Sequence, residues 1–387
     1  MKNIVTGQLN DSLYPIMDGV GLVARNYAFW LNEKYGTGYC IGPHVPGFKD
    51  TEDFIKRFPT IPIPGNAPYR YGLPSTKGFY KTIDSIPFDI IHTHCPFVSG
   101  KIALHIKKKK HIPLITTFHS KYREDFKRAF KTNALADFAV NHIMKFYNQT
   151  DMVWVPNEPT IDVLRSYGFK GKIEVSINGT DLIAPTPSEL SNLQQIGYKN
   201  TDTTKDDFVL LFVGQHRWEK NVKLMIDGLK EISDANHTFK AFFIGTGPEI
   251  NEMKRMVSDY HLEKKVFFKG IIKDREILKS YYAIADMFMF PSLYDTASLV
   301  MREAAAFSVP TVLIKEASTA KGVEDGKNGF LIENSSSSFA KKIMYAIDHP
   351  EARIKAGKGA LQTIYLPWEK VVDSVYDRYL KIIRDFN

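Results

Sequence analysis

The residues of this sequence that are best suited to chemistry lie in the stretch Phe288–Pro310. An apolar run that ends at Pro291 and a segment rich in helix formers from Leu299 predict a strand, a loop and a helix. Thr296 or Ser298 can cap this helix. The N–H groups and positive dipole end of a capped helix, above the carboxyl end of a parallel strand, favour a phosphate.

Two carboxylates accompany this phosphate site. Asp295 falls in the loop and Glu303 two turns into the helix, so we expect them at different depths of one cleft. Carboxylates accept hydrogen bonds from hydroxyl groups, and a phosphate site flanked by two acids therefore suits a nucleotide sugar. Taken alone, the stretch fits a capped surface helix with two solvated acids better than a ligand site.

A second loop supplies positive charge. A predicted strand at 208–213 runs into the loop Gly214–Asn221, which contains Arg217 and Lys220 and precedes another helix. A guanidinium and an ammonium above a parallel strand can hold a diphosphate, although exposed Arg and Lys are common on any surface. Later strands also end in glycine or polar loops, which indicates one shared ligand-binding edge.

The first half of the chain shows the same alternation with weaker signals. Asp18-Gly-Val-Gly21 opens an amphipathic helix and allows close approach to a phosphate, but it lacks the third glycine of a dinucleotide fingerprint. His119 ends a predicted strand beside a basic segment, at the mouth of an expected cleft. His92 and His94 share a strand face, but no third ligand has a convincing spacing, so core or hydrogen-bonding roles are favoured over a metal site.

The alternation of strands and helices over 387 residues predicts an α/β protein of two domains. We expect an N-terminal domain at 1–180 and a C-terminal domain at 181–367, with an interdomain linker and loop at 185–207. A last amphipathic helix, at about 368–387, is expected to pack back on the first domain. The two cysteines form neither a disulfide spacing nor a zinc pattern, which favours a reducing compartment.

The net charge of +8 is confined to the first half of the chain. Residues 1–180 hold 23 Lys+Arg against 15 Asp+Glu, whereas the remainder holds 28 of each. Residues 101–131 alone carry ten basic and two acidic side chains. This concentration indicates an anionic partner: nucleic acid, an anionic membrane or an acidic substrate. With no signal peptide and no membrane-length apolar run in the sequence, we expect an intracellular protein.

Taken in order, these motifs resemble those of the retaining glycosyltransferases of family 4 (glycosyl transferases group 1). The matching segments run nearly end to end: Asp18-Gly-Val-Gly21, the strand end at His119, Asn178-Gly-Thr-Asp181, Gly214–Asn221, Gly245-Thr-Gly247, Pro291–Glu303 and Asp325-Gly-Lys-Asn-Gly329. The resemblance implies the GT-B fold, an α/β architecture of two facing Rossmann-like domains with a central cleft. The segments Phe88–Phe97 and Thr117–Tyr122 look most like those of 1,2-diacylglycerol glucosyltransferases.

The resemblance also implies roles for single residues. Arg217 and Lys220 would hold the diphosphate, Glu303 would hold the ribose, and Asp295 would hold the transferred sugar. The implied catalytic set is His119, Arg217, Lys220 and Asp295. The implied donor-binding set is Gly19, Gly21, Gly214, Arg217, Lys220, Gly245, Ile272, Asp295, Ala297, Ser298, Leu299 and Glu303. Asp295 stands where the family usually has Glu, a methylene longer, so the identity of the sugar stays open.

We therefore expect a retaining, metal-independent hexosyltransferase without a cofactor. Its expected partners are a nucleotide sugar, with UDP-glucose as the leading donor, a membrane lipid acceptor such as diacylglycerol, and an anionic membrane surface. The expected location is the cytoplasm, at the inner face of the cell membrane. The basic residues expected to contact that surface are Lys107, Lys108, Lys109, Lys110, Lys121, Arg123, Lys127 and Arg128.

Three alternatives remain open at this stage. A transferase of the same class could act on a soluble or polyprenyl-linked saccharide. A nucleic-acid-binding protein would explain the basic half, but the chain lacks a recognisable binding module and no nucleic acid is expected as a partner. A dinucleotide-dependent oxidoreductase would need the missing third glycine of the fingerprint.

Overall fold

The computed structural model describes residues 3–16, 18–64, 68–73 and 77–386. The chain divides into two compact units. Unit 1 comprises Met1–Asn178 together with Trp368–Asn387, and unit 2 comprises Gly179–Pro367. The sequence-based division placed the boundaries after residues 180 and 367.

Parallel strands connected by helices make up both units. The strands are β1 (Thr6–Leu9), β2 (Gly38–Pro43), β3 (Ile55–Phe58), β4 (Thr60–Pro62), β5 (Arg70–Gly72), β6 (Ile90–Thr93), β7 (Leu114–Thr117), β8 (Met152–Val155), β9 (Ile173–Val175), β10 (Val209–Val213), β11 (Lys240–Ile244), β12 (Val266–Gly270), β13 (Met287–Met289), β14 (Thr311–Ile314) and β15 (Phe330–Ile332). The α-helices are α1 (Gly19–Tyr35), α2 (Lys77–Ser85), α3 (Val98–Lys110), α4 (Tyr122–Phe130), α5 (Asn133–Tyr147), α6 (Pro159–Ser166), α7 (Pro187–Thr201), α8 (Val222–Asp234), α9 (Ile250–Asp259), α10 (Arg275–Ile284), α11 (Leu299–Ala306), α12 (Ser336–Asp348), α13 (Pro350–Thr363) and α14 (Trp368–Phe386). Short 3₁₀ helices cover Trp218–Lys220 and Ser318–Ala320.

Unit 1 is built on a seven-stranded sheet in the order β3-β2-β1-β6-β7-β8-β9. All of its strand pairs are parallel. The chain moves outward from β1 in one direction and then returns to place β6 on the other side. The carboxyl ends of β1 and β6 therefore flank a topological switch point, where open parallel sheets bind ligands. β4 and β5 form a separate antiparallel pair.

The last helix of the chain, α14, packs against α1 inside unit 1. The rings of Tyr35 and Tyr376 stack with centroids 3.7 Å apart, and Lys34 pairs with Asp373 at 2.7 Å. Tyr379, on the same helix, is fully buried and stacks on Trp154. α14 spans Trp368–Phe386, as its amphipathic pattern predicts. The helix packs on unit 1 because its apolar stripe needs a partner surface to leave water.

Unit 2 is built on a six-stranded parallel sheet in the order β12-β11-β10-β13-β14-β15. Alternate residues of its strands enter different cores. Leu210 and Phe212 pack with residues of α8 and α12, while Val209 and Leu211 pack with residues of α7, α10 and α11. Both faces of the sheet are thus covered, as expected for near-continuous apolar strands. The switch point of this sheet lies between β10 and β13.

The prediction of a linker and loop at 185–207 is wrong, because this segment contains α7. The hydroxyl of Thr186 accepts a bond from the backbone N–H of Glu189, whose carboxylate accepts one from the N–H of Thr186 at 2.8 Å. This reciprocal capping box, followed by Pro187, starts the helix. Leu193 and Gly197 then bury one side of it against α10. The polar composition of the other side concealed this pattern.

Most other predicted elements are present within one or two residues of their expected ends. The sequence pattern predicts strands at Leu114–Thr117, Met152–Val155 and Thr311–Ile314 and helices at Val98–Lys110 and Trp368–Phe386, and these are the bounds of β7, β8, β14, α3 and α14. The sequence analysis did not assign β2–β5, β15, α2, α4, α9 or α13. None of the helices in the described part of the chain is long and apolar enough to cross a bilayer.

Candidate active site

The loops that follow β10 and β13 contain most of the residues expected to bind a donor. These two strands are neighbours in the sheet, with Leu211 paired to Phe288. Because the strands are parallel, both loops leave the same edge at the switch point of unit 2. The side-chain amide of Asn221 donates a hydrogen bond to the carbonyl of Pro291 at 2.9 Å, which ties one loop to the other.

Lys220 and Asp295 form an ion pair between these two loops. Each side chain retains 16% of its accessible surface, so the pair is partly shielded but still reachable from solvent. The ammonium also lies 5.9 Å from the ring of Phe290 and 5.8 Å from that of Tyr294. The second carboxylate oxygen of Asp295, Oδ2, is buried without a hydrogen-bond partner among the described residues. The site therefore holds a cation beside an acceptor oxygen with unused capacity.

Arg217 lies at the start of the 3₁₀ turn that contains Lys220. Its Nε donates a hydrogen bond to the side-chain oxygen of Gln215 at 2.9 Å, and its side chain is half-buried. The neighbouring His216 is fully buried among three phenylalanine rings, and burial lowers its pKa to about 4. His216 is therefore a neutral core residue that anchors this loop, whereas Arg217 stays accessible.

Ser298, one of the two predicted caps, caps α11. Its hydroxyl accepts a bond from the backbone N–H of Met301 at 3.2 Å, and its side chain is buried. Ala297 and Leu299, on either side, are half-buried. The first turn of α11 thus begins close to Asp295 in sequence and at the same sheet edge as Lys220. The positive end of the helix dipole therefore adds to the positive charge of the Lys220 ammonium.

Glu303 does not lie open beside Asp295 but is held inside unit 2. Its carboxylate accepts hydrogen bonds from the hydroxyl of Tyr282 at 2.7 Å and from Arg275 at 3.3 Å. Arg275 also donates to Asp181 at 2.6 Å. Burial raises the pKa of Glu303, and the charge of Arg275 opposes that rise. The two acids therefore have separate cationic partners.

Sequence reasoning missed Arg275 and Tyr282 as partners of Glu303. Arg275 is the first residue of α10, directly after its cap Asp274. A basic residue at a helix start opposes the helix dipole, and this unfavourable placement was the available signal. Asp181, noted only as the end of the motif Asn178-Gly-Thr-Asp181, now has a place in the same charge network.

The glycines at this edge allow two loops to touch. A Cβ on Gly245 would lie 2.0 Å from the carbonyl oxygen of Gly214, and Gly245 has a φ of 127°. A Cβ on Gly247 would lie 2.1 Å from the carbonyl oxygen of His216. These contacts hold the loop after β10 against the loop after β11. Ile272 is half-buried and packs on the core below β13.

In unit 1, Asp18 caps α1 and so occupies N–H groups that were expected to face a phosphate. Its carboxylate accepts bonds from Val20 at 2.9 Å and Gly21 at 3.0 Å. A Cβ on Gly21 would lie 2.9 Å from the carbonyl oxygen of Ser12, whereas a Cβ on Gly19 would meet no atom of the described residues within 4 Å. Gly21 therefore has a packing role, and Gly19 is the glycine whose surroundings are open.

The predicted histidines of unit 1 lie together at the carboxyl ends of β6 and β7. Nδ1 of His94 lies 3.0 Å from Nε2 of His119, and Nδ1 of His92 lies 2.6 Å from the hydroxyl of Tyr379. Burial lowers the pKa of His119 to about 3. The preference for hydrogen-bonding roles of His92 and His94 is confirmed. No group of three or more metal-ligating side chains occurs within the ranges that the structure describes.

Asp11, which the sequence analysis passed over, follows β1 at the same edge. Its carboxylate accepts hydrogen bonds from the backbone N–H and the hydroxyl of Ser99, in the first turn of α3. Burial raises its pKa to about 6, and the bonds from Ser99 oppose that rise. An acid two residues beyond a predicted strand end was the signal that could have identified it.

The lysine run Lys107–Lys110 does not lie near His119, which corrects the expectation of one basic cluster. α3 runs antiparallel to the strands, from the carboxyl end of β6 to the amino end of β7, so its last turn lies at the opposite edge. There Lys107 pairs with Asp151 and Lys109 with Asp84. Lys121, Arg123, Lys127 and Arg128 do follow the carboxyl end of β7, although Arg123 is paired with Asp137 at 2.7 Å.

The helical hairpin α4–α5 exposes large apolar side chains among these basic residues. Phe130, Leu135 and Phe138 keep 46%, 52% and 71% of their accessible surface. Phe130 ends a ladder of rings along α4, stacking on Phe126, which stacks on the buried Tyr122. Ile106 is fully buried and takes no part in this surface. We call residues 127–138 the hairpin tip.

Comparison with known proteins agrees with this architecture. The crystal structure of Anabaena Alr3699/HepE in complex with UDP and glucose superimposes with a TM-score of 0.74 at 18% identity, covering 97% of this chain and 99% of that chain. Two doubly wound units of this kind define the GT-B fold, which the resemblance implied and which is confirmed.

The family models "Glycosyltransferase Family 4" and "Glycosyl transferases group 1" match residues 17–198 and 198–363. The chain belongs to the family-4 glycosyltransferases and is a glycosyltransferase. It is 24% identical over 354 residues to an alpha-monoglucosyldiacylglycerol synthase of Acholeplasma laidlawii, covering 89% of this chain and 88% of that protein. It is also 24% identical to the UDP-Gal:alpha-D-GlcNAc-diphosphoundecaprenol alpha-1,3-galactosyltransferase of Escherichia coli, covering 96% of both chains.

The two glycines of α1 should respond differently to alanine. We expect Gly19→Ala to raise the free energy of unfolding by up to about 1 kcal/mol, because alanine favours the helix and its Cβ would meet no atom of the described residues. Gly21→Ala should lower it by roughly 1–3 kcal/mol, because its Cβ would press on the backbone of Ser12. Urea unfolding of both variants measures the difference, and equal effects would show that this contact does not restrain the helix.

Proposed function

We propose that this glycosyltransferase moves a hexose, with glucose from UDP-glucose as the leading donor, to a membrane lipid such as diacylglycerol with retention of configuration. The observation that best supports the proposed donor site is the Lys220–Asp295 ion pair at the switch point of unit 2, close to the start of α11. A cation and a carboxylate that satisfy each other without a ligand can separate onto a diphosphate and a sugar hydroxyl when one binds.

The proposed donor site uses the two loops as one surface. Arg217 and Lys220 would hold the diphosphate, and the N–H groups at Ala297, Ser298 and Leu299 would point toward its oxygens. The cations and the helix dipole lie where negative charge grows as the bond to the sugar breaks, so they stabilise the transition state more than the bound donor. These groups supply the charge for which other transferases use a metal ion, and the proposal is a metal-independent reaction without a cofactor.

Asp295 and Glu303 would divide recognition of the donor. The carboxylate of Asp295 has a buried oxygen with unused capacity, which suits a hydroxyl of the transferred sugar. Arg275 and Tyr282 hold the carboxylate of Glu303 in place with one hydrogen bond to each oxygen. The remaining lone pairs of these oxygens would accept hydrogen bonds from the ribose hydroxyls. Gly214, Gly245 and Ile272 would form the backbone and apolar wall of the nucleotide site.

Unit 1 would supply the acceptor side, with His119 near the sugar and Gly19 near the phosphate. In the proposed reaction the bond from the anomeric carbon to the diphosphate breaks, and an oxocarbenium-like sugar forms. The acceptor hydroxyl then attacks from the same face, and a leaving phosphate oxygen takes its proton. No side chain acts as general base in this scheme, so the leaving group and the acceptor must lie on one side of the sugar.

The lipid acceptor is supported by the hairpin tip and by the relative from Acholeplasma laidlawii. Phe130, Leu135 and Phe138 are exposed next to the basic residues Lys127, Arg128 and Lys131. Apolar rings beside lysines and arginines suit the interface of an anionic bilayer, where the rings enter the headgroup region and the cations meet phosphates. We propose peripheral attachment to the inner face of the cell membrane through this tip.

A transferase acting on a polyprenyl-linked saccharide is the second candidate. The Escherichia coli relative, whose name gives a diphosphoundecaprenol acceptor, favours it at the same identity. The donor site would serve either reaction. Product analysis by mass spectrometry, with UDP-glucose and UDP-galactose offered together with diacylglycerol or a polyprenyl-diphosphate saccharide, distinguishes the two.

Removing either donor-loop cation should slow sugar transfer strongly. We expect Arg217→Ala and Lys220→Ala each to cost about 2–4 kcal/mol of transition-state stabilisation, or roughly 30- to 1,000-fold in turnover. Lys223→Ala, at the second residue of α8 and paired only with Asp227 in the described contacts, is the matched control and should retain activity. Turnover of the folded variants is compared with that of the wild type, and wild-type rates in both would remove this loop from the mechanism.

The two acids should affect different steps. Glu303→Gln should weaken UDP binding by about 10-fold, since a ribose contact persists throughout the cycle. Asp295→Asn should leave UDP affinity equal or tighter, because Lys220 loses its competing carboxylate, but should lower turnover. Calorimetry with UDP and steady-state kinetics with the nucleotide sugar separate the two effects. A similar loss of UDP affinity in both variants would contradict the division.

Membrane binding should depend on the hairpin tip rather than on the lysine run. Replacing Lys127, Arg128 and Lys131 by Gln should weaken co-sedimentation with anionic liposomes by about 1 kcal/mol per charge, and more at low salt. Phe138→Ser should weaken it further with little effect on folding, because the ring is mostly exposed. Lys107–Lys110 replaced by Gln is the control. Attachment through the tip would be refuted if both multiple-Gln variants lost the same amount of liposome binding. It would also be refuted if binding did not depend on the salt concentration.

A further inference from the structure

One guanidinium nitrogen of unit 2 is shared between two carboxylates. Nη2 of Arg275 donates a hydrogen bond to Oδ1 of Asp181 at 2.6 Å and another to Oε1 of Glu303 at 3.3 Å. The side chain of Glu303 keeps 8% of its accessible surface, whereas that of Asp181 keeps 41%. A buried carboxylate gains more from a nearby cation than an exposed one, because less water screens the charges. The shorter bond nevertheless goes to the exposed Asp181.

The other oxygen of Glu303 has a firmer donor. The hydroxyl of Tyr282 donates to Oε2 of Glu303 at 2.7 Å. The ring of Tyr282 is fully buried and stacks on that of Phe307, with centroids 5.8 Å apart. Burial raises the pKa of Tyr282 well above its ordinary value, so the phenol keeps the proton that it donates. α10 therefore holds one oxygen of Glu303 through a fixed ring and the other through a guanidinium that Asp181 draws away.

This arrangement leaves Glu303 with acceptor capacity. An ionised carboxylate has about four lone-pair sites, and the described contacts of Glu303 use one on each oxygen. Burial raises the pKa of Glu303, the charge of Arg275 lowers it, and the charge of Asp181 raises it. Arg275 thus lies close enough to favour the ionised form of Glu303 without occupying all of its lone pairs.

We propose that Asp181 is a positioning residue of the donor site, which holds the guanidinium of Arg275 back from Glu303 and so keeps lone pairs of Glu303 available to the ribose hydroxyls of the nucleotide. The inference rests on the proposed function, in which Glu303 contacts the ribose. Without Asp181, the guanidinium can close on Glu303 with two N–H groups and compete with the hydroxyls. Asp181 acts through Arg275 and needs no contact of its own with the nucleotide.

The chain offers a matched set of variants. Asp181→Ala removes the competing acceptor, and its effect on folding should be small, because the side chain is exposed and Arg275 is its partner in the described contacts. Asp181→Glu keeps the charge and tests rescue. Arg275→Gln removes the cation. Glu276→Ala is the control, since it removes a negative charge next to Arg275 from a side chain that pairs with Lys279.

Two measurements separate ribose binding from a general change of the site. Calorimetry with UDP and with 2′,3′-dideoxy-UDP, which lacks both ribose hydroxyls, gives a ratio of affinities in which the titration of the phosphates cancels. Glutamate labelled with ¹³C at the side-chain carboxyl reports the ionisation of Glu303 in the ligand-free protein. Glu303→Gln assigns that signal.

We expect Asp181→Ala and Arg275→Gln to shift the titration of Glu303 in opposite directions. In Asp181→Ala the guanidinium closes on Glu303, so the pKa of Glu303 falls, and UDP should bind about 3-fold more weakly near neutral pH while dideoxy-UDP is unaffected. In Arg275→Gln the pKa of Glu303 rises further. The preference for UDP, which needs the ionised carboxylate, is then lost at a higher pH than in the wild type. Asp181→Glu and Glu276→Ala should stay close to the wild type in both measurements.

Several results would overturn the proposal. An unchanged titration of Glu303 in Asp181→Ala would show that Asp181 does not control the position of Arg275. A shifted titration with the wild-type ratio of affinities would remove the link to ribose binding, and an equal loss of both nucleotides would indicate a purely structural role. If the wild type binds both nucleotides equally, the ribose contact of the proposed function fails, while the titration still decides whether Asp181 holds Arg275.

Discussion

In both units the central strands of the main sheet are almost entirely buried, and this constraint places the polar side chains at the strand ends. A parallel sheet covered on both faces has no room for unpaired polar groups except at its edges, since burying a charge without a partner costs several kcal/mol. Lys220 and Asp295 lie in the loops after β10 and β13, and the histidine cluster around His119 lies at the carboxyl ends of β6 and β7. Both groups therefore lie where strands end. In unit 2 alternate strand residues enter two apolar cores. Because the strands are parallel, the loops after β10 and β13 leave the same edge.

The buried and half-buried carboxylates at these edges accept hydrogen bonds or ion-pair contacts, which is how they tolerate burial. Glu303 is almost fully buried, and Arg275 and Tyr282 compensate for the desolvation of its carboxylate. Among the described residues, Asp295 has Lys220 as its only cationic partner, and one of its buried oxygens has no hydrogen-bond partner. An unsatisfied buried acceptor is costly in the ligand-free protein, and under the proposed function a hydroxyl of the sugar would remove that cost. The histidines of unit 1 avoid the cost differently, since burial keeps them neutral and linked to one another.

The basic excess of the first 180 residues has two different origins. The lysines at the end of α3 stabilise the amino edge of the sheet through Asp84 and Asp151, as ordinary surface pairs do. The hairpin α4–α5 instead combines positive charge with exposed aromatic and aliphatic side chains. Exposed apolar groups of this size are typical of an interaction surface, and in the proposed attachment an anionic lipid surface would meet both the rings and the cations. A charge count over the whole segment cannot separate these cases, because it ignores which edge each helix end reaches.

The sequence by itself determined the two-unit α/β architecture, the family and the loops that contain Arg217, Lys220 and Asp295, because strand periodicity, caps and glycine positions are local signals. It failed at residues 185–207, where a capping box was outweighed by polar composition, and it could not pair Glu303 with Arg275 across 28 positions. Only the tertiary structure decided which charges meet: it joined Lys220 to Asp295, moved Lys107–Lys110 away from His119, and linked Asp181 to Glu303 through Arg275. Such contacts depend on strand order and helix direction, which bring distant residues to the same edge, and no local pattern in the chain encodes that proximity.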